Sequence, residues 1–187
     1  MQGNLRQNIE KIVQLTDEEY EAVQALFYAK KMNKNQFLIK EGESVNDVYF
    51  IKTGLLKLIY TDISDKQHIV SFAMEDWWET DLQAFFNTSK ATLSLQCIED
   101  TEVLCLPLEN YHKMCYEMPK LQIFLIKMSN AGFLASQRRI IALLTTNVKE
   151  RFEQLIKQYP TLFQRVPKSQ LALYLGVSRE TLSRLYS

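Results

Sequence analysis

Between Phe37 and Leu106 the apolar residues of this chain recur at every second position, in six short runs kept apart by turn residues. From Leu108 onward they recur at helical spacing. Period two buries one face of a strand, and period 3.6 buries one stripe of a helix. That single change of period restricts the chain to an α+β fold in which a β-rich body precedes a set of helices. The runs are Phe37-Leu38-Ile39, Val48-Tyr49-Phe50-Ile51, Leu55 to Tyr60, Ile69 to Met74, Leu93 to Ile98 and Glu102 to Leu106. Glu41-Gly42-Glu43, Lys52-Thr53-Gly54 and Glu99-Asp100 supply turns. Many short strands at this spacing predict a sandwich or a rolled barrel. The stretch from 75 to 90 is too long for a hairpin turn and predicts a loop or short helix that closes or lines the roll.

Helices flank this body. Ile9, Ile12, Val13 and Leu15 give an apolar face near the start, and Thr16-Asp17-Glu18-Glu19 opens a second helix with acid at its positive end. Pro107 precedes a short helix, and Pro119 opens a long one with Leu121, Phe124, Leu125, Met128, Ala131, Leu134 and Ala135 on its apolar face. A stripe of that length predicts a partner helix, so the chain is expected to pair with a second copy. Phe124, Leu125, Met128, Ala131, Gly132 and Ala135 are the expected interface, with the small residues allowing close approach of two backbones. Asn147, three residues before Glu150, caps the next helix, and Tyr159-Pro160 ends it.

Residues 169–184 then read as two short helices joined by a tight turn. Leu171, Ala172 and Leu175 have helical spacing, Gly176 supplies a left-handed residue, and Ser178 caps the second helix. Leu182 and Leu185 turn inward, leaving Arg179, Glu180, Ser183 and Arg184 outward. This is a helix-turn-helix, a unit whose second helix enters a DNA major groove. Charge follows the same division. Residues 136–187 hold 9 Lys/Arg and 3 Asp/Glu, whereas residues 1–135 hold 13 and 19, although the whole chain is neutral. An acidic body with a basic C-terminal quarter suits a sensor joined to a nucleic-acid reader.

Other classes fit less well. Cys97, Cys105 and Cys115 have no metal-ligand spacing and read as reduced thiols. A cupin-like enzyme would need clustered ligands, but the two histidines, His68 and His112, stand far apart. No enzymatic activity, metal or cofactor is therefore expected. A leader-like N-terminus and a membrane-spanning run are both lacking, which predicts a cytoplasmic protein. A β-roll regulatory module without DNA function remains the alternative reading.

The order of helices, β-roll, long helix and helix-turn-helix resembles the Crp–Fnr superfamily of bacterial transcription regulators over essentially the full length. Glu41-Gly42-Glu43, Tyr49-Phe50-Ile51 and Gly54 match the opening strands of its roll, and Pro107-Leu108, Tyr111 and Met114 match the helix after it. Gln170, Leu171, Ala172, Leu175 to Thr181, Ser183 and Arg184 fit the family's DNA-binding signature. Trp77-Trp78 and Val166-Pro167 look like the branch common in Bacteroidetes-type members. The resemblance implies an antiparallel, cyclic-nucleotide-binding-like jelly roll over 1–117, a dimerisation helix over 118–144 and an all-α, winged-type helix-turn-helix over 145–187. Only three residues follow Arg184, so either the reading head lacks its last turn or that turn orders on DNA.

The family also implies partners: double-stranded DNA with an inverted repeat, a second copy of the chain, RNA polymerase and a small-molecule effector. Arg179 and Arg184 are expected to reach guanines, whose O6/N7 edge matches a guanidinium, and Glu180 a cytosine N4. Ser183 is a further base contact, and Lys168, Ser169 and Thr181 are phosphate contacts. Nucleotide-binding members hold the phosphate with Gly-Glu and, about ten residues later, Arg-Ser or Arg-Thr. Here Thr80-Asp81 and Ala91-Thr92 stand at those places, with Lys90 one position early. A Cβ replaces the glycine and no cation replaces the arginine, so cAMP is expected not to bind. Trp77 and Trp78 are left as the lining of a different, apolar ligand site or as core filler.

Overall fold

The computed structural model describes residues 3–184 and divides the chain into two compact units. The first comprises residues up to Tyr60 together with Ser71–Met128, and the second comprises Thr61–Val70 and the chain from Ser129 onward.

In the first unit the expected α+β roll is present. Helices α1 (Leu5–Glu10) and α2 (Asp17–Gln24) lead in, and α2 opens with a reciprocal cap between Thr16 and Glu19. Eight strands follow: β1 (Tyr28–Met32), β2 (Phe37–Ile39), β3 (Asp47–Thr53), β4 (Leu56–Thr61), β5 (Gln67–Ala73), β6 (Trp78–Glu79), β7 (Ser94–Cys97) and β8 (Thr101–Pro107). They form two four-stranded sheets, ordered β1-β8-β3-β6 and β2-β7-β4-β5. Six strands stand where the alternating runs put them. Strand β1 was not foreseen, because four of its five residues are exposed and its apolar pattern is faint. It pairs with β8 from Tyr28↔Cys105 to Met32↔Thr101, and Lys30 and Lys31 on it blunt an exposed sheet edge. Strand β6 is too short to show a period.

The core between the sheets is built on Phe50, Ile51, Leu56, Leu95, Val103 and Leu106, all fully buried. At one end Trp78 meets Phe27, Phe50 and Phe124 with ring centres 6.0, 5.2 and 5.9 Å apart. The interruption after β6 contains the helix α3 (Leu82–Asn87), as the length of that stretch required. Helix α4 (Leu108–Glu117) covers the roll through Met114.

Helix α5 (Pro119–Thr145) is 27 residues long and continuous. Its first turns bury Leu121, Phe124 and Leu125 in the core of the first unit. The second unit contains the rest of α5, then α6 (Val148–Gln158), α7 (Pro160–Arg165), α8 (Lys168–Leu175) and α9 (Arg179–Arg184). Asn147 and Glu150 form the expected capping box on α6. Pro160 does not merely stop α6; it takes the first position of α7, where a missing N–H costs nothing. Phe152, Leu155, Leu162, Val166, Leu171, Ala172, Leu175 and Leu182 are the buried residues of these helices.

Candidate nucleic-acid interface and sensor site

Helices α8 and α9 form the expected helix-turn-helix. Leu171, Ala172 and Leu175 are buried from α8, and Leu182 from α9. Gly176 ends α8 at φ +74°, in the left-handed region that glycine tolerates best, and Val177 N–H donates to Ala172 O at 3.0 Å. Ser178 Oγ accepts from Thr181 N–H at 3.1 Å, so the serine caps α9. With Leu182 turned inward, Arg179, Glu180, Thr181, Ser183 and Arg184 are all exposed on α9. Lys168 and Ser169 are exposed at the opening of α8. The Glu180 carboxyl is held below its usual range by its own backbone N–H, the Ser178 hydroxyl and the two flanking arginines, and stays charged at neutral pH. The inward turn expected of Leu185, and any wing, lie outside the described residues.

The long helix has two apolar faces, and the first turns of one of them are buried within its own unit. Phe124 and Leu125, expected at a dimer interface, are 1% and 3% exposed within their own unit. Met128 packs on the same core. Ala131, Gly132 and Ala135 are exposed, on the same side of the helix. The opposite side carries Ile123, Ile126, Asn130, Phe133, Gln137, Ile140 and Leu144 at alternating steps of three and four, the a/d spacing of a coiled coil. Ile126 is 60%, Phe133 64% and Leu144 79% exposed in the single chain. Leu134 and Ile141 widen this stripe. The heptad spacing was legible in the sequence, but the buried face has the same residue types and masked it.

At the roll, Thr80-Asp81 and Ala91-Thr92 do come together, but they bind one another. Asp81 is 1% exposed and caps α3 through Ala84 N–H at 3.1 Å. Its second oxygen accepts from Thr92 N–H at 2.8 Å, Leu93 N–H at 3.0 Å and the Thr92 hydroxyl at 3.2 Å. The donors that would meet an anion already hold a carboxylate of the chain. Thr80 is buried and donates its hydroxyl to Asp47 O. Ala91 is buried, with its backbone tied to Gly42 and Glu43, and Lys90 is exposed with Nζ on Ser44 Oγ. Trp78 donates its indole N–H to Asn8 Oδ1 at 3.1 Å, so its ring and its polar atom are both committed to the core. Trp77 is half-buried against the same core.

The acidic residues Glu75, Asp76, Glu79 and Asp81 read in the sequence as a solvated loop, but Glu79 is half-buried. It accepts from Ser71 Oγ at 2.6 Å and Thr80 N–H at 3.1 Å, and burial pushes its carboxyl up to about 7. The thiols of Cys97, Cys105 and Cys115 are pushed upward by burial, Cys105 to about 11, away from the reactive thiolate. Among the described residues no group of three or more His, Cys, Asp or Glu is placed to hold a metal ion, and no helix is long and apolar enough to cross a membrane.

Known proteins share this arrangement. Residues 29–117 match the family of the cyclic nucleotide-binding domain. The anaerobic regulatory protein of Haemophilus influenzae is 24% identical over 185 residues, covering 91% of this chain and 70% of that protein. The transcriptional activator protein Anr of Pseudomonas protegens is 21% identical over 169 residues, covering 84% of this chain and 68% of that protein. Among solved structures, the c-di-GMP responsive global regulator CLP of Xanthomonas campestris superposes with a TM-score of 0.72 at 15% identity, over 89% of this chain and 87% of that one. At that identity the superposition establishes the fold.

Proposed function

We propose that this chain is a transcription regulator of the Crp–Fnr type, which binds an inverted-repeat operator as a homodimer and presents α9 to the major groove. The observation that carries the reading is the division of α9. Its one buried side chain, Leu182, fixes the helix; Glu180, Ser183 and Arg184 are exposed away from it, and Arg179 is exposed at the helix's first position. Such a set offers bidentate donors for guanine and an acceptor for cytosine within two turns. Relatives named as a transcriptional activator and an anaerobic regulatory protein, matched over most of both chains, support it. The exposed heptad seam of α5 is the face on which two copies pair, with Asn130 and Gln137 setting the register. Trp77-Trp78 and Val166-Pro167 support its belonging to the Bacteroidetes-type branch.

The roll is a sensor that has exchanged cAMP for another effector or for none. Asp81 fills the cluster of amide and hydroxyl donors from within the chain and would repel a phosphate. Regulation at RNA polymerase by a cytoplasmic dimer completes the reading. The test is selection of duplexes from a random pool by the full chain, which should return an inverted repeat of TGTGA-like or TTGAT-like half-sites. In the selected site Arg184→Ala should cost about 1–3 kcal/mol and relax one base pair. An equal loss on random DNA would refute direct readout by Arg184, and a pool that shows no enrichment would refute the DNA-binding reading itself.

A further inference from the structure

The end of α8 is the hinge of the reading head, since Gly176 there turns the chain into α9. The last carbonyls of a helix lack partners within it and attract cations. The last turn of α8 holds no basic residue. Two arginines from other elements of the same unit take that role. Arg151, on α6, donates to Leu175 O at 3.4 Å and also to Thr146 O. Arg139, on α5, donates Nη2 to Tyr174 O at 2.9 Å, and its guanidinium lies 3.6 Å from the centre of the Tyr174 ring.

Arg139 does one thing more. The same Nη2 donates to Ile69 O on β5 at 3.0 Å. Residues 61–70, the tip of the β4–β5 hairpin, group with the second unit, so this bond lies within it. The hairpin tip is itself well held. Asp62 Oδ1 accepts from Ser64 N–H, Ser64 Oγ and Lys66 N–H, and Oδ2 pairs with His68 Nε2 at 2.8 Å. Ile69 is 2% exposed, so its carbonyl is a fixed point. One planar cation therefore bridges a strand carbonyl and a last-turn carbonyl of α8, over the face of an aromatic ring. Lysine cannot reproduce that combination, because it lacks both the plane and the fork.

We propose that Arg139 is a positioning residue for DNA reading, which ties the turn of the helix-turn-helix to the tip of the β4–β5 hairpin within the second unit and so holds the entry to α9 in place. The inference rests on the reading of α9 as the DNA-reading helix, but the tie itself is testable without DNA. Arg139 is half-buried and turned onto two carbonyls, unlike the exposed Arg179 and Arg184, so it is not a further phosphate contact.

The experiment compares the full-length protein with Arg139→Ala, Arg139→Lys and Tyr174→Phe. Hydrogen exchange is followed by mass spectrometry, and affinity is measured on the selected operator and on a random duplex. Arg139→Ala should speed exchange in residues 61–70 and 172–178 together, with the roll strands β3 and β8 unchanged. It should weaken operator binding about tenfold and random-duplex binding less than about twofold. Arg139→Lys should fall between. Tyr174→Phe keeps the ring and the backbone carbonyl that Arg139 uses and should leave exchange in residues 61–70 unchanged. Unchanged exchange in either segment of Arg139→Ala would overturn the tie, whatever the DNA result. Exchange rising throughout the chain would overturn it in favour of a general stabilising role. Equal weakening on operator and random duplex would overturn it in favour of a phosphate contact. A parent protein that selects no DNA would overturn the positioning of DNA reading and leave the exchange result to decide the tie alone.

Discussion

Two carboxylates two residues apart in the roll have opposite consequences. Asp81 is buried and accepts from four donors, three of them backbone N–H groups. Asp81→Ala would leave those buried donors without an acceptor and uncap α3, so it should lower the unfolding free energy by about 2–4 kcal/mol in urea titrations. Glu79 has a folded-state value of about 7 against the usual 4.5. Between those values the folded form holds a proton that the unfolded form has released, so unfolding liberates a proton and raising the pH favours it. Stability should therefore fall by about 3 kcal/mol as the pH rises from 4.5 to 7 and level off above that. The check is to compare the urea midpoint of the parent with that of Glu79→Gln at about pH 5 and about pH 8, where the variant should lack this component of the slope. The place of Asp81 was legible, because Thr80-Asp81 is where a phosphate loop would lie. Glu79 was not, because β6 is two residues long and neither a motif nor a period marks it.

At the scale of elements, period did most of the work and failed where burial leaves no period or where a helix carries two stripes. The strands of the roll are short apolar runs between turn residues, with β3 and β4 buried on both faces, and they were visible in outline; β1 is an exposed edge and was not. The α8–α9 unit was legible almost residue by residue, because Gly176 and Ser178 have backbone roles that few other residues can fill. Helix α5 was legible in length but not in orientation. It is apolar on two sides: Leu121, Phe124 and Leu125 serve the roll, and Ile126, Phe133, Ile140 and Leu144 form the outward seam. Sequence periodicity finds stripes but cannot say which stripe meets which partner. The assignment of the seam to dimerisation makes a sharp expectation. Ile126→Glu with Phe133→Glu changes only exposed side chains, so the fold should persist while sedimentation reports a monomer at micromolar concentration. Ala135→Glu, on the other side, should leave the dimer intact. The reverse pattern would return the interface to Ala131, Gly132 and Ala135.

For the molecule as a whole, the uneven charge and the self-filled roll point the same way. The excess of basic residues beyond Gln137 directs the C-terminal helices toward a polyanion, and the acidic remainder limits indiscriminate binding along DNA. In a cyclic-nucleotide-responsive relative of this design the ligand would supply free energy that the folded dimer could use to change state. Here the donors on Thr92 and Leu93 are already satisfied by Asp81, and Ala91 contributes no cation. A ligand at a thousandfold excess over its dissociation constant would add about 4 kcal/mol to stability and raise the melting temperature of a chain this size by about 10 °C. Millimolar cAMP should instead leave the melting temperature unchanged, evolve no binding heat in calorimetry and leave operator affinity where it was. Micromolar binding heat would show that the phosphate seat opens by moving Asp81 aside. Asp81 would then be a gate on the pocket, and the roll would still be a nucleotide sensor.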